Sequence, residues 1–266
     1  WENGLKQASP YINESAVAPR PANPAAVVAV GDLIRVRQME DGNWALSQIP
    51  AAQAGLVSLR PDDGAIISIF GGIGFELSKF NRATQALRQP GSNFKPFLYS
   101  AALESGFTAA SIINDAPVVV EDGSLDEGMW RPENDEGKFY GPTRLRWALT
   151  KSRNLVSIRL LQRLGTRNLL DYLDRLGFEA SEFAPDLSLA LGTHAMTPLQ
   201  IATGYAILAN GGYRVEPYLI GRVEDLEGNV LYEAEPATVC HRCEEGEDAV
   251  LDPPLGQHCI QHDRAG

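Results

Sequence analysis

The chain has 266 residues, of which 44% are hydrophobic, and a formal net charge of −11. This length accommodates one large domain or two smaller ones with a sizeable core. The acidic balance argues against nucleic acid, whose phosphates require a basic surface, and no run of about 18 apolar residues exists to span a bilayer.

The charge is unevenly spread. Residues 224–266 hold eleven acids against two basic residues, a net of −9, which leaves −2 for the other 223. The body is therefore nearly neutral, and total charge says little about what it binds. Cys240, Cys243 and Cys259 also fall in the acidic stretch, so cysteine usage fixes no redox compartment for the body. The opening WENGLKQASPYINES lacks the basic and apolar regions of a signal peptide; any targeting segment is expected outside these residues.

Residues 9–25, SPYINESAVAPRPANPA, read as a linker or irregular loop. Leu33–Arg37 and Trp44–Leu46 read as strands about an Asp41-Gly42-Asn43 turn, the end of a small β module. Leu56–Leu59 and Ala65–Phe70 flank Pro61-Asp62-Asp63-Gly64, a hairpin signal. Between Gly91 and Gly106, Phe94, Phe97, Leu98, Ala101 and Ala102 recur at helical spacing. An irregular region, 114–141, precedes a helical stretch from Thr143 to Leu164, broken near Ser152-Arg153-Asn154 and closed by Gly165. Asn168–Leu176 reads as a helix ended by Gly177, and Thr197-Pro198 starts another with an N-cap followed by proline. Strands are expected at Tyr213–Tyr218, Ile220–Asp225 and Asn229–Glu233. A hairpin, then helices, then strands indicates an α+β domain with an antiparallel sheet.

Two short elements carry candidate chemistry. Ser92 stands three residues before Lys95, so a helix would place them on one face. A desolvated lysine there has a lowered pKa and can take a serine proton; equally, Ser92 can be a helix N-cap and Lys95 a first-turn charge. Lysine in a first turn opposes the helix dipole, which favours acids there. Ser152 and Asn154 sit within a helical stretch that neither favours. They mark either a plain kink or a proton-relaying hydroxyl beside an amide that holds a carbonyl.

Ser92-x-x-Lys95, followed 57 residues later by Ser152-x-Asn154, resembles the motif set of the penicillin-binding transpeptidases. The flanking stretches FNRATQALRQPGSNFKPFLYSAAL, WRPENDEGKFYGPTRLRWALTKSRNLVSIRLL and LALGTHAMTPLQIATGYAILANGGY are more specific and resemble the bifunctional class A penicillin-binding proteins of Gram-negative bacteria. The likeness covers roughly residues 28–235. It implies the transpeptidase and serine β-lactamase-like α+β fold, with residues 1–50 part of an OB-like insert and linker, 51–252 an incomplete transpeptidase domain and 253–266 an aberrant or disordered tail.

It also implies roles. Ser92 would be the acylated nucleophile and Lys95 its base. Ser152 would pass a proton to the leaving amine, and Asn154 would hold the donor peptide's amide. The Ser92 N–H would form half of an oxyanion hole. The implied reaction is D,D-transpeptidation of peptidoglycan stem peptides, with lipid-linked precursors as further partners, β-lactam antibiotics acylating the same serine, and no cofactor. The implied place is the periplasmic face of the bacterial inner membrane, with the parent protein's membrane anchor and glycosyltransferase domain outside these residues. Other classes with this fold are a non-acylating scaffolding relative and a serine β-lactamase.

The sequence departs from the family in one respect. No Lys-Thr-Gly, the third element of the motif set, occurs in it, and the likeness stops after Asp252. The expectation is that these residues alone are not acylated efficiently. In the tail, Cys240-x2-Cys243, fifteen residues, then Cys259-x2-His262 has zinc-ribbon spacing. Against it stand ordinary or disulfide-paired cysteines and a frame-shifted or truncated tail, and no metal is expected. His194, before the helix at Thr197, reads as structural.

Overall fold

A computed structural model describes residues 11–13, 16–17, 19–47, 52–121, 128–239 and 258–260. The chain divides into two compact units, residues 1–53 and 54–266. The first holds two antiparallel pairs, β1 (Tyr11–Asn13) with β2 (Ala16–Val17) and β3 (Arg35–Gln38) with β4 (Trp44–Ser47). The β3–β4 turn closes on Asp41, which accepts from the Asn43 N–H at 3.0 Å and from its Nδ2 at 2.9 Å.

The second unit opens with the expected hairpin, β5 (Leu56–Leu59) and β6 (Ile66–Phe70). After it come α1 (Lys95–Glu104), β7 (Ile112–Asp115), β8 (Val120–Glu121), β9 (Met129–Trp130) and β10 (Gly141–Arg144). Four helices follow: α2 (Leu145–Thr150), α3 (Asn154–Leu164), α4 (Thr166–Arg175) and α5 (Pro198–Ala209). Last come the antiparallel pair β11 (Arg222–Glu224) and β12 (Val230–Glu233), then β13 (Ala237–Val239) and β14 (His258–Ile260), which pair in parallel.

The fold is α+β, as expected, with local corrections. The region read as irregular, 114–141, contains β8 and β9 together with the end of β7 and the start of β10, and β7 pairs antiparallel with β10. Thr143 and Arg144, read as helix, end β10: Thr143 is buried in the β7 pairing, and Arg144 turns the chain directly into α2. Tyr213–Tyr218 forms no continuous strand: Tyr218 makes an isolated parallel bridge to Ala65, and Tyr213 is a single bridge position. The reason is local: the Asn210 side chain accepts from the Gly212 and Tyr213 N–H groups and donates to the Tyr213 carbonyl. Those backbone groups are thereby occupied in a turn.

Helix α1 lies at the centre, packed on α2, α3 and α4. Its Phe97, Leu98 and Ala102 are fully buried, as are Leu155, Ile158, Leu160 and Leu161 of α3 and Leu169 and Leu173 of α4. Each such leucine or phenylalanine contributes about 1.5–3 kcal/mol relative to exposure. Phe97 makes edge contacts with Phe178 and Tyr205, ring centroids 5.3 Å apart in each case. Gly204 of α5 fits over this cluster because it has no side chain: a Cβ would lie 2.6 Å from Phe178 Cζ. The expected Thr197 N-cap starts α5, and Thr197 and Gln200 form a reciprocal capping box there. The buried centre therefore fixes the N-terminal end of α1 against the turn between α2 and α3, where the candidate residues gather.

Candidate active site

Gly91–Phe94 forms a single 3-10 turn that runs directly into α1. Pro96, in the first turn of α1, has no N–H to leave unsatisfied. Phe94 anchors the turn in the core, which leaves Ser92 exposed and sends Lys95 inward to 1% exposure. Ser92 is not the helix N-cap that the plainer reading allowed. Pro90 precedes the turn, and the Ser92 hydroxyl instead accepts a hydrogen bond from Ser152 Oγ at 2.9 Å.

The break foreseen at Ser152-Arg153-Asn154 is a tight turn, closed by Ser152 N–H to Leu149 O and Arg153 N–H to Ala148 O. Ser152 has φ +52°, the one positive value outside glycine among the described residues. That left-handed conformation aims both its carbonyl and its hydroxyl at Lys95. Lys95 Nζ donates to Ser152 O at 2.6 Å, Ser152 Oγ at 2.9 Å and Asn154 Oδ1 at 2.7 Å. Three acceptors match the three protons of an ammonium. Burial lowers its pKa to about 8, with desolvation the cause rather than neighbouring cations. The four residues singled out from the sequence thus converge, with Ser152 Oγ placed between Lys95 and Ser92.

A cleft of about 280 Å³ opens over them, lined also by Asn134, Asp135, Glu136, Lys151 and Arg153. Arg153 forms one wall. Its guanidinium lies 3.6 Å over the Tyr140 ring and donates to Glu136 Oε2 at 3.3 Å, and the Tyr140 hydroxyl donates to the same oxygen. Those two donors hold the Glu136 carboxyl below its ordinary range. Asn154 Nδ2 donates to Glu133 O at 2.9 Å, so one of its N–H groups is already engaged. A larger cavity of about 650 Å³ lies elsewhere, lined by Arg214, Tyr218, Tyr232 and neighbours, and holds none of these groups.

Sequence reasoning did not single out Asn134, Glu136 or Tyr140, although all three lie in the WRPENDEGKFYGP stretch. The available signal was a cluster of polar residues ahead of β10, of which only Thr143 is buried. His194 stacks on Phe183, centroids 3.9 Å apart, in keeping with a structural role. Cys240, Cys243 and His262 lie outside the described residues, and Cys259 is described only as backbone in β14.

The penicillin-binding protein transpeptidase domain family matches residues 54–245, and the penicillin-binding protein OB-like domain matches residues 1–52. The chain belongs to the penicillin-binding protein transpeptidase family. Penicillin-binding protein 1A of Pseudomonas aeruginosa is 53% identical over 239 residues, 90% of this chain and 29% of that protein. Its namesake in Escherichia coli is 43% identical over 241 residues, 91% of this chain and 28% of that one. The chain therefore spans less than a third of the length of these relatives. Among solved structures, penicillin-binding protein 1A from Haemophilus influenzae superposes with a TM-score of 0.73 at 42% identity, covering 80% of this chain and 32% of that one. The PonA1 protein from Mycobacterium tuberculosis in complex with penicillin V gives a TM-score of 0.59 at 27% identity, over 67% of this chain and 49% of that one. Membership in the penicillin-binding transpeptidases also accounts for the fold class expected from the sequence.

Proposed function

We propose that Ser92 is the acylated nucleophile of a peptidoglycan D,D-transpeptidase. The observation that carries this reading is the unbroken chain from Lys95 Nζ through Ser152 Oγ to Ser92 Oγ, each step 2.9 Å. Neutral Lys95 accepts the Ser92 proton through Ser152 as Ser92 Oγ bonds to the penultimate D-alanine carbonyl carbon of the donor stem peptide. The bond from that carbon to the terminal D-alanine nitrogen then breaks, and the amine leaves with a proton returned through Ser152. An acceptor amine attacks the resulting ester, the cross-link forms, and Ser92 regains its proton. Asn154, with one N–H of its amide still available, holds the donor's amide carbonyl, and the Ser92 N–H supports the tetrahedral oxyanion. β-Lactams acylate the same oxygen by ring opening. The site of action is the periplasmic face of the bacterial inner membrane, where lipid-linked precursors are the source of stem peptides.

The test is to treat the protein as its cells produce it with a fluorescent penicillin and map the adduct by peptide mass spectrometry. The expected result is one adduct, on Ser92, abolished in Ser92→Ala and released over many minutes rather than turned over. An unlabelled protein, an adduct at another residue, or rapid hydrolytic turnover overturns the reading. Because Lys-Thr-Gly is absent from residues 1–266, these residues alone are expected to label far more slowly.

A further inference from the structure

Helix α3 carries Asn154 at its first position, yet its N-cap residue, Arg153, makes no side-chain capping bond. The free N–H groups of the first turn need acceptors. They find one twenty residues away in the sequence. Asn134 Oδ1 accepts from the Asn154 N–H at 2.9 Å and from the Leu155 N–H at 3.3 Å. The other end of the same amide is equally engaged: Asn134 Nδ2 donates to Asp115 Oδ1 at 2.8 Å and to Lys138 O at 2.8 Å.

An amide with two donors on its nitrogen side and two acceptances on its oxygen side has one workable orientation. A flip would set N–H groups against N–H groups and a carbonyl against a carboxylate. Asn134 is 4% exposed and Asp115 1%. Asp115 Oδ2 has no hydrogen-bond partner among the described residues. A buried carboxylate with so few partners is costly, and packing alone offers no reason to keep it. Its hydrogen bond to Asn134 Nδ2 fixes the direction of that amide.

We propose that Asn134, oriented by Asp115, is a positioning residue for acyl transfer: it caps α3 from outside the helix and so sets where Asn154 and Ser152 meet Lys95. Asn134 touches no reacting atom on this account. It acts through Asn154, whose Oδ1 is one of the three acceptors around Lys95 Nζ. Withdrawing the cap leaves two N–H groups unsatisfied, loosens the 151–153 turn and displaces Ser152 Oγ from its place between Lys95 and Ser92. This rests on the acyl-transfer reading given above.

The experiment has two arms. In the wild-type protein, hydrogen exchange of the Asn154 and Leu155 amides is followed by NMR or by mass spectrometry of fragments. Both are expected to be protected to the level of the α3 interior; exchange as fast as an exposed turn overturns the cap with no variant needed. In the second arm, Ser92 acylation by a fluorescent penicillin is compared across pH for wild type, Asn134→Ala, Asn134→Asp and the exchanged pair Asp115→Asn/Asn134→Asp, with folding checked by near-UV circular dichroism. Misplacement on the scale of 1 Å costs on the order of 10²-fold, and that loss is expected in both single variants. Asn134→Ala should also move the acid limb of the profile to lower pH, because the Lys95 ammonium loses an acceptor.

The exchanged pair restores a donor facing a carboxylate and is expected to recover at least about tenfold over Asn134→Asp. Folded single variants that acylate within about twofold of wild type, or a folded Asn134→Ala that loses rate without moving the limb, overturn the positioning role. An exchanged pair that folds without recovering rate overturns the part assigned to Asp115. A wild-type protein that never acylates at Ser92 removes the acyl-transfer reading instead, while the exchange arm still decides whether Asn134 caps α3.

Discussion

Ser152 Oγ stands 2.9 Å from Lys95 Nζ and 2.9 Å from Ser92 Oγ, so the proposed base and the proposed nucleophile meet through a third side chain. Two replacements at position 152 separate its chemical and conformational roles. Ser152→Ala and Ser152→Gly both remove the relay, and each is expected to slow Ser92 acylation by about 10²–10⁴-fold. Their stabilities should differ. Glycine occupies φ +52° without strain, whereas alanine there costs about 1 kcal/mol or more. Chemical denaturation should therefore find the glycine variant more stable by about 1 kcal/mol, and equal stabilities would contradict the strain at this residue.

Acylation should depend on pH through Lys95. With a pKa of about 8, only about one lysine in ten is neutral at pH 7. The rate should rise through pH 8 and level off above it. Lys95→Arg stays protonated throughout and should be inactive across that range. Measuring second-order acylation constants from pH 6 to 10 checks both expectations.

The same lysine makes stability depend on pH. Its folded pKa lies below the ordinary value of 10.5, so between about pH 8 and 10.5 the unfolded chain binds more protons. Stability from this group therefore rises with pH across that window, by roughly 3 kcal/mol at most, and is flat below it. Urea midpoints for wild type and Lys95→Met, compared at pH 7 and pH 10, should show the rise only in wild type.

Gly192 adopts φ +69°, and its carbonyl accepts from the Gly91 N–H at 3.2 Å. A Cβ on Gly192 would fall 2.2 Å from Gly91 O, a backbone atom that cannot swing aside. Gly192→Ala should destabilise the protein by about 1–3 kcal/mol through clash and strain together. It should also slow acylation, because Gly91 adjoins Ser92. A loss of stability with an unchanged acylation constant would show that the 3-10 turn tolerates the shift.

Gly204→Ala sets two effects against each other. Alanine gains up to about 1 kcal/mol of helix propensity in α5. Its Cβ would meet Phe178 at 2.6 Å and Phe97 at 2.8 Å within a packed aromatic cluster, and overpacking costs about 1–3 kcal/mol. The net expectation is a loss of about 1 kcal/mol with little change in acylation, measured by denaturant titration and penicillin labelling.

Elements whose residues carry their own signal were legible from the sequence. The β5–β6 hairpin announced itself through Pro61-Asp62-Asp63-Gly64, and α5 through Thr197-Pro198. The break between α2 and α3 was foreseen because serine and asparagine disfavour a helix interior. What stayed hidden depends on partners distant in sequence. The β7 and β10 segments are short and become a pair only through each other. Tyr213–Tyr218 has strand-like residues, but the Asn210 side chain captures its start. At the site, Ser92, Lys95, Ser152 and Asn154 were named from spacing and resemblance. The placing of Ser152 between Lys95 and Ser92, and the reach of Asn134 across to α3, arise from tertiary contacts that spacing does not encode.

The shortest contact to Lys95 Nζ, at 2.6 Å, is made by the Ser152 carbonyl, a main-chain atom common to all amino acids. Genetic variation at position 152 can delete the hydroxyl but cannot delete that acceptor; it can only swing it away by changing the backbone conformation. The lysine's resting place is thus insured against exchange of side chains and vulnerable to shifts in chain path. On the proposed mechanism, variants that slow Ser92 acylation by displacing Lys95 should accordingly cluster among residues that hold the 151–153 turn in its left-handed form, rather than at the turn's own side chains.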